Sequence, residues 1–145
     1  RQTATRNMHF LLQNFEAADG LLHHTWKDGQ AKYPAFLDDY SYLIAAMIEL
    51  AQVTADYTWL DKAAQYTQKV LEGFSDTSTP LFFFTHVTQT DILLRKKEVY
   101  DGATPSGNSV MAQNLYLLSL LLDREDWRRR ALRVEEEVAK KFPEL

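Results

Sequence analysis

Tyr100-Asp101-Gly102-Ala103-Thr104-Pro105-Ser106-Gly107-Asn108-Ser109 runs straight into Val110-Met111-Ala112-Gln113-Asn114-Leu115-Tyr116-Leu117-Leu118-Ser119-Leu120-Leu121-Leu122. The first half joins two glycines and a proline to a dense run of hydrogen-bonding side chains, the composition of a turn cluster feeding a helix start. Ser106 or Asn108 is the expected N-cap. The second half has Val110, Leu115, Leu117, Leu118, Leu121 and Leu122 almost all round the helix, the pattern of a helix buried on more than one side. A polar connection opening on a buried helix argues for helices packed on helices.

Working outward, the same logic finds four more helices. Glu125 to Lys141 points Trp127, Ala131, Val134 and Val138 inward, and Glu136–Lys140 and Glu137–Lys141 are spaced to pair on its outer face. Upstream, Thr58 opens a helix with Asp61 in an approximate capping box. Leu60, Ala63, Ala64, Thr67, Leu71 and Phe74 form its inner face, and Gly73 with Ser75-Asp76 ends it. Asp38 to Thr54 carries the stripe Leu43, Met47, Leu50 and Ala51, with Asp38 and Asp39 in a first turn whose dipole favours carboxylates. Thr3 to Phe15 repeats Met8, Leu11, Leu12 and Phe15 at helical spacing. Between helices, Lys27-Asp28-Gly29 reads as a hairpin turn, and Tyr33-Pro34 forbids helix locally. Leu81 to Thr85 suits a strand, with Ile92-Leu93-Leu94 as its expected partner across Thr88 to Asp91. The fold class is all-α, helical hairpins joined by short β-hairpins. No strand–helix–strand alternation calls for a parallel sheet.

Composition narrows the functions. The 145 residues are the size of one domain, 46% hydrophobic and 25% charged. A net charge of −4 offers no basic field for nucleic acid. No cysteine is present, which excludes disulfides and thiolate chemistry within this chain. The longest apolar runs, Leu43 to Met47 and Leu115 to Leu122, fall short of the ~20 residues a membrane helix needs. No signal peptide is visible, and the expected location is cytoplasmic. The chain starts Arg1-Gln2-Thr3 and stops at Phe142-Pro143-Glu144-Leu145, so we expect a piece of something longer.

Candidate chemistry centres on carboxylates. Asp38 or Asp39 could serve as general acid, base or sugar-hydroxyl ligand. Adjacent helical residues point about 100° apart, so they cannot be the facing pair that glycoside chemistry uses. Glu98 or Asp101 would supply the second group. Helix capping and dipole matching explain the same acids without chemistry. In the 100–109 loop, Gly102 and Gly107 could merely permit positive φ, and Pro105 a turn. That does not explain Tyr100 and Asp101 beside so many further donors and acceptors. The loop is no Walker motif, because Asn108 stands where lysine is required. His23 and His24 point to opposite faces of a strand, and His9 and His86 lack ligand-spaced partners, so no metal and no cofactor is assigned. Trp26, Tyr33, Tyr100 and Phe82 to Phe84 could stack on sugar rings, although such aromatics more often fill cores. Arg128-Arg129-Arg130 reads as a solvated helix face.

Ala35-Phe36-Leu37-Asp38-Asp39-Tyr40, Trp26-Lys27-Asp28-Gly29 and the run from Lys97 through Glu98, Val99 and Tyr100 to Ser109 together resemble a family of thioredoxin-domain-containing proteins. That family includes the spermatogenesis-associated protein and many uncharacterised bacterial homologues. The resemblance covers nearly the whole chain. It implies a thioredoxin-like domain, absent here, followed by an all-α region similar to the (α/α)6 toroids of N-acylglucosamine 2-epimerases and six-hairpin glycosidases. Residues 1–145 would form about half of that ring. By this analogy the parent processes or binds carbohydrate, as a sugar epimerase or glycosidase-like enzyme if it is an enzyme. Asp38, Asp39 and Asp101 would be its catalytic candidates, and Trp26, Glu98, Tyr100, Ser106 and Asn108 its sugar contacts. The expected partners are a sugar, the companion thioredoxin-like domain and, for an incomplete ring, a second copy, with neither nucleic acid nor membrane. Two rivals stand beside the carbohydrate reading: a non-catalytic interaction scaffold, and a loop that only staples one helical hairpin to the next.

Overall fold

A computed structural model describes residues 2–15, 26–27, 30–31, 35–84, 86, 105–141 and 143. Among them the order is α1 (Gln2–Phe15), β1 (Trp26–Lys27), β2 (Gln30–Ala31), α2 (Leu37–Thr54), α3 (Thr58–Gly73), β3 (Ser75–Asp76), β4 (Thr79–Phe82), α4 (Pro105–Leu122) and α5 (Glu125–Lys141). The protein is all-α, and its described residues include two small two-stranded sheets.

Each helical hairpin owes its tight turn to local backbone geometry. Between α2 and α3, Ala55 adopts the left-handed conformation at φ 57° and ends α2. Asp56 then serves α3, its Oδ1 accepting from the Thr58 amide at 3.2 Å and the Thr58 hydroxyl at 2.6 Å. The capping box expected between Thr58 and Asp61 is therefore replaced, because Thr58 already lies inside the helix and the acid two residues upstream reaches its amide. Between α4 and α5, Asp123 takes φ 56°. The Arg124 amide returns to the Ser119 carbonyl at 2.9 Å, the six-to-one bond of a Schellman motif.

The two hairpins pack on each other chiefly through α2 against α4, with α3 also touching α4, while α1 touches α2 and β4 lies on α5. One continuous core results, with Tyr40, Tyr66, Phe74, Phe82, Leu37, Ile44, Met111, Leu115 and Leu118 among its fully buried side chains. Met8, Met47, Leu50, Ala51, Leu60, Ala63, Thr67, Phe74, Trp127, Ala131, Val134 and Val138 are buried as the periodicity predicts. Trp59, Tyr66 and Val70 complete the inner face of α3.

Three expectations need correction. α4 is not enclosed all round, for Leu117 and Leu121 are exposed. The strand begins two residues early, at Thr79, and pairs antiparallel with Ser75–Asp76, residues read as a helix stop. The Asp76 carboxylate builds that turn by accepting from the Ser78 amide at 3.0 Å and hydroxyl at 2.9 Å. Lys140 pairs with Glu137 at 3.6 Å, one residue closer than the Glu136 expected. Ile92-Leu93-Leu94, His23, His24 and Tyr33 lie outside the described residues. Trp26 pairs with Ala31 and Lys27 with Gln30 in antiparallel strands, while Asp28 and Gly29 between them lie outside the described residues.

Candidate functional site: the junction where two helices begin

The starts of α2 and α4 meet at the end of β4. Three backbone segments are tied together there. The Leu37 amide donates to the Phe84 carbonyl at 2.8 Å, and the Phe83 amide donates to the Phe74 carbonyl at 2.8 Å. Phe36 and Phe84 stack, with centroids 4.7 Å apart and planes 11° from parallel. Onto this frame α4 is fastened by Asn108. Its Oδ1 accepts from the Phe82 amide at 2.7 Å and its Nδ2 donates to the Phe82 carbonyl at 3.1 Å. The amide thus copies a strand neighbour, satisfying both polar groups of one residue at the sheet's end. Asn108 is 2% exposed, so both bonds are shielded from water.

Pro105 is the first helical residue of α4, a place where its missing N–H costs nothing. Ser106 and Asn108 therefore fall within the first turn, and neither is the N-cap expected from the sequence. Gly107 is helical too, and its role is space rather than positive φ. A Cβ at Gly107 would overlap Asp38 Oδ1 and press on Leu37 Cδ2 at 3.2 Å. The Asp38 carboxylate consequently lies over the first turn of α4, where the helix dipole and unpaired amides favour negative charge. Asp39 turns the other way and accepts from the Phe36 amide at 2.9 Å, the backbone half of a capping box for α2. The acid doublet thus serves two helix starts, one carboxylate each, which accounts for a pair where one helix needs a single cap.

Further bonds lock the same corner. Ser41 Oγ donates to the Asp38 carbonyl at 3.0 Å, and Asn114 Nδ2 donates to the Ser41 carbonyl at 2.8 Å. Below them Gly73 leaves a notch for His86, whose ring would collide with any Cβ there. His86 is buried and meets Phe74 edge-on at 5.3 Å. From the far side, Arg130 lays its guanidinium 4.4 Å over the Phe82 ring, with Nε donating to the Pro80 carbonyl at 3.0 Å and Nη2 to Ser75 Oγ at 3.3 Å. Burial, then the charge of Arg133, holds its pKa below the usual arginine value. The arginine run is therefore not uniformly solvated. Arg128 faces water and Glu125, while Arg130 is a clamp on the β-hairpin.

Of the residues singled out from sequence, Asp38, Asp39 and Asn108 meet at this junction. For Trp26 and Ser106 only the backbone is described, and Glu98, Tyr100 and Asp101 lie outside the described residues. Sequence reading missed Leu37, Gly73 and Asn114 as junction parts; Gly73 was read as a helix stop, and Phe82 and Phe84 were read as stacking or core aromatics rather than as partners of the two helix starts. One displaced carboxyl lies elsewhere: Asp126, at the exposed start of α5, is held below its ordinary pKa chiefly by the hydrogen bond from Arg124. Among the described residues no group of three or more His, Asp or Glu side chains is placed to hold a metal ion. No helix among them is long and apolar enough to cross a membrane.

Fold and junction define an all-helical array whose hairpins are locked by buried polar staples. No protein-family model matches the chain. It is 31% identical over 134 residues to spermatogenesis-associated protein 20 of Rattus norvegicus and 30% identical over the same length to the Mus musculus protein of that name. It is also 30% identical over 105 residues to an uncharacterized Caenorhabditis elegans protein. Each of the two rodent alignments takes in 86% of this chain but 17% of the relative, so the chain spans about a sixth of the length of these relatives.

Proposed function

We infer that this chain is a non-catalytic scaffold segment from the all-helical region of a longer protein of the spermatogenesis-associated protein 20 type, and that the 105–109 turn is a staple rather than a ligand loop. By the resemblance of its motifs, the larger body is an (α/α) toroid and its companion a thioredoxin-like domain. The observation that carries the scaffold reading is the Asn108 amide, whose oxygen and nitrogen are each bonded to the Phe82 backbone in a place shielded from water. A ligand would have to reach it through the buried joint between β4 and α4. Asp39 is likewise engaged with its own helix.

A carbohydrate site in the parent is the second reading. One observation favours it: the half-buried Asp38 sits against the first turn of α4, beside Gly107. In that reading Asp38 is the acid or sugar ligand, and Asp101 or Glu98 the second carboxyl.

A thermal-shift screen with mono- and disaccharides and sugar phosphates separates the two. A ligand that binds only the folded state raises stability by RT ln(1 + [L]/Kd), about 2.7 kcal/mol at a hundredfold excess over Kd. The scaffold reading expects no shift, in this chain or in the full-length polypeptide. A reproducible shift that Asp38→Asn abolishes overturns it in favour of the sugar site.

A further inference from the structure

α4 has no charged residue in its 18 positions, yet one side of it meets solvent. Tyr116, Leu117, Leu120 and Leu121 are 38% to 59% exposed and recur at the three- and four-residue spacing that makes a single helical face. The opposite side, Met111, Asn114, Leu115 and Leu118, is buried against the core. The other long helices differ. The outer face of α3 shows Asp61, Gln65, Gln68 and Glu72, and that of α5 shows Arg128, Arg129, Glu135 and Glu136. Tyr42 and Val53 on α2 and Leu132 on α5 are exposed as well, but they stand apart from one another along their helices, whereas the leucines and tyrosine of α4 form one contiguous strip, the mark of a contact surface.

We propose that this strip is the seam on which a further apolar-faced helix of the same, longer polypeptide packs. The inference rests on the scaffold reading and goes beyond it by naming the surface through which the array continues. Two observations choose the occupant. The similar proteins carry some five-sixths of their length outside the aligned region, so they hold ample chain to supply a helix. Four partly exposed side chains also fall well short of the ~800 Å2 per partner that a stable two-chain complex buries. A segment tethered in the same polypeptide needs far less, because its effective concentration is in the millimolar range. A neutral strip offers no charge with which to select a separate partner, and it suits the ridge-into-groove contact of one helix on another.

Hydroxyl-radical footprinting of this 145-residue chain and of the full-length polypeptide, read by mass spectrometry, tests the seam. The expected result is at least a fivefold lower oxidation rate at Tyr116, Leu117, Leu120 and Leu121 in the full-length polypeptide, with Tyr57 unchanged as an exposed control. Equal rates in the two would overturn the proposal. Protection that grows with the concentration of the 145-residue chain, and that Leu120→Lys removes, would also overturn it and assign the strip to a second copy. Circular dichroism of the full-length polypeptide separates the underlying reading from the seam: a largely non-helical spectrum sinks the scaffold, whereas a helical spectrum with unprotected α4 sinks only the seam.

Discussion

Asn108→Ala is the substitution that most directly tests the junction. It deletes an amide holding both polar groups of Phe82, at 2.7 and 3.1 Å, in a place where Asn108 is 2% exposed and Phe82 fully buried. Truncation leaves one N–H and one carbonyl without partners. Each stranded buried group costs about 1–3 kcal/mol, so the pair costs about 2–6. Alanine returns at most ~0.7 kcal/mol through its better helix propensity. The expected net loss is about 1–5 kcal/mol, a sizeable part of the 5–15 kcal/mol that typically holds a domain. With a urea slope of ~2 kcal/mol/M, the midpoint should fall by roughly 0.5–2.5 M at unchanged slope. Unfolding is followed by far-ultraviolet circular dichroism and by fluorescence of the buried Trp59 and Trp127. Gln113→Ala, on the exposed side of the same helix, is the control. A loss below about 0.5 kcal/mol, the range of ordinary surface changes, would refute the reasoning and reopen Asn108 to ligand work.

Other consequences are testable in the same assay. Gly107→Ala should be less favourable in the native background than beside Asp38→Ala, with a coupling of about 1 kcal/mol in the double-mutant cycle, since the new methyl meets the Asp38 carboxylate; additivity would disprove the contact. Ala55→Gly should stabilise by about 0.5–1 kcal/mol, because alanine is held at φ 57° where a Cβ is penalised, and a higher urea midpoint checks it. Arg130→Ala should cost about 2 kcal/mol, and Arg130→Met less, since methionine keeps the packing on Phe82 without burying a charge. Asp126 is lowered in pKa by Arg124, so its contribution is whole above the unfolded carboxylate value near pH 4 and fades as pH falls through the lowered folded value. Arg124 lies 4.1 Å over Trp127, so acid titration of the fluorescence should show a step that Asp126→Asn removes.

The helices were legible because they rest on local physics. Apolar residues at 3.6-residue spacing must find a core, and the inner faces of α3 and α5 did. The pairing of the strands that flank Asp28-Gly29 was legible because that dipeptide suits a two-residue turn, and Trp26 does pair with Ala31. The β3–β4 hairpin escaped because its turn depends on the Asp76 carboxylate bonding Ser78, with neither glycine nor proline to announce it. Gly73 and Gly107 looked like punctuation. Their actual service is to admit His86 and Asp38, side chains brought in from elsewhere in the chain, and no local pattern encodes that approach. The apolar period of α4 likewise says that the helix wants cover, without saying which side this chain leaves bare.

The staple and the ligand loop look alike in sequence because both concentrate polar side chains beside glycine and proline. What separates them is where each polar group spends its bonds. At this junction the Asn108 amide goes to Phe82, Asp39 to the start of its own helix, Ser41 to Asp38 and Asn114 to Ser41. A group already satisfied in a buried place can reach a ligand only by giving up a bond that holds the fold, which makes it a poor instrument for reversible binding. Function in such a body is then carried by whatever the rigid corner positions. The surface this chain leaves most in need of a neighbour is the neutral strip of α4, running from Tyr116 to Leu121 on the helix that the junction fastens in place.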